Sequence, residues 1–267
     1  MRSQCPLCGS PADPTEIKLA SHVIFCCPSC EFRFAPTAFD LDISYCDIYE
    51  TAEYKEIHEG MKRAASPARF CNMATYRPFF RNVKRHLGSK LLDVGCGIGR
   101  FCHAAHSKGW VVSGIDISER AVEIGMRYSK FPLRVMELET LVSRGERYDV
   151  VTAFEVLEHL AEPRSFIQLL VNATSDQGQV FCTVPNWECG EVQTATRPDW
   201  TPPVHLGFFT RKSLGLLGES AGCRIVRTGV IYTDPPPLNA LFLHRWLARR
   251  IMGIARAPLG LWLHLTR

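Results

Sequence analysis

Long apolar runs are missing from this 267-residue chain. No uninterrupted stretch reaches the ~20 residues that a membrane-spanning helix needs, so a bilayer-embedded protein is not expected. The amino terminus lacks the basic-then-apolar pattern of a secretory leader. Clustered basic charge is also missing: 31 Lys and Arg stand against 27 Asp and Glu, a formal net charge of +4. Tight binding to a phosphate backbone needs such clusters, so nucleic acid is not the expected partner. The sequence shows no internal repeat and no low-complexity tract. What remains, 46% hydrophobic and 22% charged residues, is the composition of an ordinary globular protein. Its length suits one large domain or a domain with an appendage.

Cysteine, by contrast, is plentiful, with 12 residues. Scattered through an apparent α/β chain, they suggest a reducing, cytoplasmic setting in which thiols serve as metal ligands or core residues. Cys5-Pro6-Leu7-Cys8 and Cys27-Pro28-Ser29-Cys30 form two Cys-x-x-Cys knuckles around a short strand-like stretch. Each knuckle can aim two sulfurs at one point, and together they match the zinc-ribbon spacing; unrelated core cysteines are the alternative. Cys26 competes as a ligand, but Cys27 keeps the spacing. Four protein ligands leave no open position, so this zinc is expected to be structural. A module below ~40 residues builds too little core alone, and the metal would supply its folding energy. Between the knuckles only Lys18 is a Lys or Arg, with Arg33 shortly after them. The ribbon therefore reads as a docking or substrate-side lobe.

The most informative stretch is Leu91-Leu92-Asp93-Val94-Gly95-Cys96-Gly97-Ile98-Gly99-Arg100, an apolar run that ends in a glycine-rich turn before a helix-like segment. Glycines admit positive φ and close ligand approach, making a cradle at a strand's carboxyl end. The next strand ends in Gly114-Ile115-Asp116-Ile117-Ser118, which puts an acid ~20 residues beyond the turn, suited to ribose hydroxyls. The spacing is Gly-x-Gly-x-Gly, not the Gly-x-Gly-x-x-Gly of dinucleotide sites. With Asp93 before it, it resembles motif I of class I S-adenosylmethionine (SAM)-dependent methyltransferases.

Further segments resemble a branch of that family that acts on small molecules in quinone and sugar biosynthesis. Tyr148 to Leu160 resembles its fourth-strand motif, and Thr183-Val184-Pro185-Asn186 the end of its fifth strand. His205-Leu206-Gly207-Phe208-Phe209-Thr210 resembles a segment that opens the next helix and borders the acceptor. The resemblance implies that Asp93, Gly95, Cys96, Gly97 and Gly99 cradle SAM and that Asp116 and Ile117 hold its ribose side. Glu137 falls where the family carries an acid for the adenine amino group, although Met136-Glu137 departs from the common Gly-Asp. Phe154 and Glu155 would lie beside the methionine end, with Glu158 and His159 at the pocket mouth. The ribbon and the tyrosines after it also resemble a zinc-binding lobe of this branch.

Alternating strand and helix patterns imply a doubly wound α/β fold: a mostly parallel, seven-stranded Rossmann-like sheet with a small amino-terminal zinc ribbon. Strands are expected near 90–95, 110–115, 132–136, 148–153, 178–184 and 223–232, with an antiparallel seventh over 261–266. Helices are expected near 99–108, 118–129, 163–173 and 210–221. Residues 1–38 form the ribbon, 39–88 a mostly helical substrate-side cap, and 89–267 the methyltransferase domain. In the cap, Tyr45, Tyr49, Tyr54, Tyr76, Phe79 and Phe80 either pack the ribbon onto the sheet or, for the early tyrosines, overhang the acceptor. An insertion over 235–257 carries a helix, 238–256, with Arg245, Arg249 and Arg256 in a stripe. It reads as a peripheral membrane or lipid contact, a dimer contact or a lid.

Methyl transfer is an in-line displacement, in which orientation supplies roughly 7–11 kcal/mol and a general base roughly 3–5.5 kcal/mol. Positioning can dominate. For a hydroxyl acceptor His159 and His205 are the candidate bases, with Glu158 as an orienter of His159; each histidine could instead be structural. His86, His103 and His106 read as surface helix residues, and Cys96 is given no nucleophilic role. The expected activity is SAM-dependent methylation of a small acceptor, a hydroxyl of a sugar, glycolipid or natural product. Sugar C-methyltransferases with such a lobe usually carry a further large domain, which favours oxygen over carbon here. An RNA methyltransferase gripping RNA through the ribbon, and a non-catalytic SAM-binding scaffold, are the alternatives.

Overall fold

A computed structural model describes residues 3–39, 68–189, 200–232 and 260–267. The early tyrosines Tyr45, Tyr49 and Tyr54 and the arginine-striped segment 238–256 lie outside them.

The ribbon comprises β1 (Ser3–Gln4), β2 (Pro11–Leu19), β3 (His22–Cys26) and β4 (Arg33–Phe34). The β2–β3 hairpin turns on Ala20 and Ser21, both at positive φ (45° and 71°), the backbone hand that follows the strands' twist. Both knuckles close with one hydrogen-bond pattern. Gly9 N–H donates to Cys5 O (2.8 Å) and Cys5 N–H to Ser10 O (2.9 Å), while Glu31 N–H donates to Cys27 O (2.8 Å) and Cys27 N–H to Phe32 O (3.0 Å). The residue after each second cysteine, Gly9 or Glu31, takes positive φ.

Between the ribbon and the main sheet the described helices are α1 (Ala68–Cys71) and α2 (Arg77–Asn82), both short. Pro78 starts α2, where its missing N–H costs nothing. Over the described part of the cap, 68–88, these two helices are joined and followed by turns and irregular chain where a mostly helical stretch was expected. Tyr76, Phe79 and Phe80 do not pack the ribbon onto the sheet. Their rings meet Phe101, Trp110, Phe154 and Phe181 of the sheet domain itself.

The sheet domain runs β5 (Lys90–Val94), α3 (Arg100–Ser107), β6 (Val111–Asp116), α4 (Glu119–Met126), β7 (Leu133–Val135), α5 (Leu138–Ser143), β8 (Tyr148–Phe154), α6 (Pro163–Asn172) and β9 (Thr174–Pro185). It continues with β10 (Gly207–Phe208), α7 (Arg211–Ser220), β11 (Arg224–Ile231) and β12 (Gly260–Thr266). Among the described residues the order is β11-β12-β9-β8-β5-β6-β7. Only β12 runs antiparallel to its neighbours. Helix α5, absent from the expected pattern, is a single buried edge, Leu138 and Leu141, on six residues. Central strands β5 and β8 are apolar and buried along nearly their whole length, as parallel strands covered on both faces must be. His103, expected at the surface, is half-buried against Phe131.

Strand β10 belongs to the other sheet. It pairs antiparallel with β4, Gly207 opposite Phe34 and Phe208 opposite Arg33, completing the order β1-β2-β3-β4-β10. The ribbon is thus joined by backbone hydrogen bonds to the segment that precedes α7. That joint was not readable from residues 205–210, which look only like a helix opening.

Candidate active site

Strand order reverses between β5 and β8, since β6 lies on the other side of β5. Ligands of doubly wound sheets bind outside the carboxyl ends of the strands at this point. The glycine turn opens there. Gly95, Gly97 and Gly99 have φ of 69°, 52° and 79°, so side chains would strain the turn. At Gly95 a Cβ would also lie 2.5 Å from Cγ2 of Val156, in the loop after β8. The turn and the β8 loop therefore face each other across the switch point.

Asp116, at the end of β6, does two things. Its Oδ2 accepts the Gly97 N–H (2.7 Å) and its Oδ1 the Ser118 N–H (2.8 Å), so it pins the glycine turn. An ionised carboxylate has about four lone-pair sites, which leaves two for hydroxyls of a bound ribose. The next residue, Ile117, is apolar and 61% exposed, and Val135 and Glu137 at the end of β7 are exposed too. Open apolar surface beside acids suits an adenosine. Cys96 is buried under the turn, and its Sγ would lie 2.9 Å from a Cβ at Gly114. It packs; it is not presented to a ligand.

Asp93 lies below the turn and is 3% exposed. Its carboxylate accepts the Thr152 hydroxyl (2.7 Å) and the Cys102 thiol (3.6 Å), tying β5 to β8 and α3. Burial raises its pKa to about 7, against the pull of those hydrogen bonds. Phe154 turns into the aromatic cluster, 4.2 Å between centroids from Phe101 and 4.9 Å from Tyr76. Tyr76 was not marked as a site residue in the sequence. Burial raises its phenol well above the usual range, and it feels the charges of Asp93, Arg100 and Glu155. The sequence held no signal for this, because Tyr76 precedes a six-residue helix with no motif around it.

Glu155 follows β8 with φ of 56°, a backbone seldom adopted by non-glycine residues. It accepts the Thr183 hydroxyl (2.7 Å). Its side chain is solvent-accessible, and desolvation raises its pKa against the pull of the Thr183 bond. One turn further on, Glu158 is 1% exposed and neither carboxylate oxygen has a hydrogen-bond partner. Desolvation, reinforced by Glu155, pushes its pKa well up. His159 Nδ1 lies 2.8 Å from the Val204 carbonyl. A carbonyl only accepts, so the nitrogen facing it carries a hydrogen, and the Glu155 carbonyl bonds the ring as well. The ring's Nε2 is 4.0 Å from Glu158 Oε1. His205 is 5% exposed, and its ring stands edge-on to His159. Burial depresses both imidazole pKa values, that of His205 the more.

The structure thus brings Glu158, His159 and His205 together, with one ligand-type atom of each within 4.8 Å of the others. Cys5, Cys8, Cys27 and Cys30 form a second cluster of the same kind at the ribbon. Their sulfurs approach pairwise at 3.5 Å, Cys5 with Cys30 and Cys8 with Cys27, and all four are free thiols. Cys26 points away, toward the Cys27 carbonyl.

Residues 67–228, more than half of the chain, match the family described as methyltransferase domain. The chain belongs to that family. It is a class I SAM-dependent methyltransferase, and a mostly parallel seven-stranded sheet with a glycine cradle at its switch point is the fold expected of one. It is similar to the ubiquinone biosynthesis O-methyltransferase of Idiomarina loihiensis, 29% identical over 171 residues, 58% of this chain and 69% of that protein. Other relatives of that name are matched over less than half of their length. A Haloferax volcanii methyltransferase solved in complex with its Trm112 activator shares the fold at a TM-score of 0.61. That likeness has 15% identity and covers 85% of this chain and 99% of the other. A SAM-dependent methyltransferase of Archaeoglobus fulgidus has a TM-score of 0.54, with 18% identity over 80% of this chain and 99% of its own. No helix among the described residues of this methyltransferase is long and apolar enough to cross a membrane.

Proposed function

We propose that this methyltransferase methylates a hydroxyl of a small molecule, a sugar, glycolipid or natural product, in the cytoplasm. The observation that carries the reading is the Glu158, His159 and His205 group, with Glu155 close enough to act on Glu158. SAM, bound over the glycine turn, supplies an electrophilic methyl group on a sulfonium. Asp116 and Ile117 hold its ribose side, Glu137 its adenine, and Glu155 faces its methionine end. The neutral imidazole of His159 takes the proton from the acceptor hydroxyl as the oxygen attacks. Glu158, kept neutral by burial, lies 4.0 Å from His159 Nε2 and keeps an uncharged carboxyl beside the ring. His205 closes the far side against water. Relatives named O-methyltransferases support oxygen as the attacking atom.

The four ribbon sulfurs suit a structural zinc, since they converge with no other ligand needed. Division of the chain into a ribbon (1–38), a cap (39–88) and a catalytic domain (89–267) is part of this reading.

The test is transfer from isotope-labelled SAM to hydroxylated small molecules, beginning with any acceptor that native mass spectrometry finds bound to the purified protein. A product methylated on oxygen is the expected result. Transfer confined to RNA, with a steep salt dependence, would replace this reading with the nucleic-acid one.

A further inference from the structure

The zinc knuckle and the acceptor-side histidines lie in different parts of the sequence, yet a short covalent and hydrogen-bonded path joins them. Cys27 N–H donates to the carbonyl of Phe32, so the second knuckle fixes where Phe32 stands. The Phe32 ring is fully buried and covers Gly207, where a Cβ would meet its Cζ at 2.6 Å. It also packs on Phe209 at 4.8 Å between centroids. The adjoining backbone is gripped from both sides. Ala35 N–H, just after β4, donates to Leu206 O (3.0 Å), and Leu206 N–H donates to the Glu158 carbonyl (2.8 Å). His205 precedes Leu206, and the Val204 carbonyl is the one that His159 Nδ1 faces.

We propose that the Cys27–Cys30 knuckle, acting through Phe32 and Gly207, sets the position of segment 204–209, so that metal occupancy of the ribbon governs the His159–His205 pair and leaves the SAM cradle untouched. This rests on the zinc and acceptor-side assignments made above. The cradle has its own supports: Gly97 N–H is held by Asp116 and Cys96 N–H by the Ile115 carbonyl (3.0 Å), all within the sheet domain. None of these bonds passes through the ribbon. Phe32 is accordingly a positioning residue for the acceptor side, and the ribbon is a wall of the site with a metal-set register. A separate docking bead would show no such path.

The experiment compares full-length protein as purified, after chelation, and as Phe32→Leu, by metal analysis, SAM titration calorimetry and hydrogen-exchange mass spectrometry. Chelated protein should exchange roughly tenfold faster or more over 204–209 and 157–160, while 91–99 and 111–118 stay protected and the SAM dissociation constant moves less than about twofold. Phe32→Leu should show the same regional pattern with its zinc retained, which separates the path from the metal. Unchanged exchange over 204–209 in Phe32→Leu overturns the proposal. So does a loss of protection that spreads equally to the cradle and abolishes SAM binding, since the ribbon would then only prop the whole fold. Protein purified without zinc would sink the metal assignment alone, and Phe32→Leu would still decide the path.

Discussion

The imidazole of His205 stands edge-on to that of His159, with centroids 4.8 Å apart and 81° between the planes. The two residues are far apart in the chain, and each arrives on a backbone held by the other's neighbour: Leu206 bonds to Glu158, and Val204 to His159. Two imidazoles in contact cannot both charge cheaply, which is why burial and mutual repulsion depress the His205 pKa so far.

Asp116→Ala should weaken SAM binding and loosen the glycine turn. It deletes two charge-assisted hydrogen bonds, each worth about 1.5–3 kcal/mol. Calorimetry should show at least a tenfold rise in the dissociation constant, or about 1.4 kcal/mol. An unchanged constant would mean that SAM sits elsewhere.

Gly95→Ala should be damaging twice over. Its φ of 69° is left-handed, and the new methyl meets Val156 at 2.5 Å. Left-handed strain alone costs about 1–2 kcal/mol. Thermal unfolding should show a clear fall in midpoint, and SAM should restore less stability than it gives the parent protein.

Stability should depend on Asp93 with a definite sign. Its pKa is raised in the fold to about 7 from an ordinary 3.8, so the native state binds the proton more tightly than the unfolded chain. Stability from this group is complete below the unfolded value and is lost as pH rises through about 7, up to roughly 4 kcal/mol. Asp93→Asn should flatten that part of the profile in denaturant titrations between pH 4 and pH 7. An equally steep fall in the variant would clear Asp93 of the effect.

Glu158→Gln separates a working residue from a structural one. Glu158 is buried, has no hydrogen-bond partner and is held neutral, so glutamine of the same shape should leave stability unchanged at low pH and raise it at high pH. Methyl transfer should nevertheless fall about 10²-fold or more, because an amide dipole replaces the carboxyl beside the reacting histidine. A variant that is both less stable and fully active would contradict the proposed role.

Much of the glycine turn was legible in the sequence, because glycine and aspartate at fixed spacing are demanded by backbone geometry. Gly95, Gly97 and Gly99 take the positive φ that their spacing implied, and Asp116 falls at a strand tip. The seven strands appear within a few residues of expectation, and β12 is antiparallel as its family likeness suggested. What could not be read were contacts between distant segments. Nothing local in Gly207-Phe208 announces a partner in Arg33-Phe34, and Tyr76 enters the site only because α2 packs on Phe101 and Phe154. Asp93 and Phe154, which the family likeness places beside SAM, also hold together Thr152, Cys102 and an aromatic core, contacts that the motif does not announce.

Strand β12 pairs on one side with β9 and on the other with β11, and β11 reaches the sheet through β12. β11 can join the sheet only once β12 has been made, whether after it or as a hairpin with it, and until then the edge of β9 lies bare. Such delayed, long-range closure is slow and invites mispairing between nascent chains. A pulse-labelling refolding experiment should accordingly see β11 amides protected last, after those of β5 and β8.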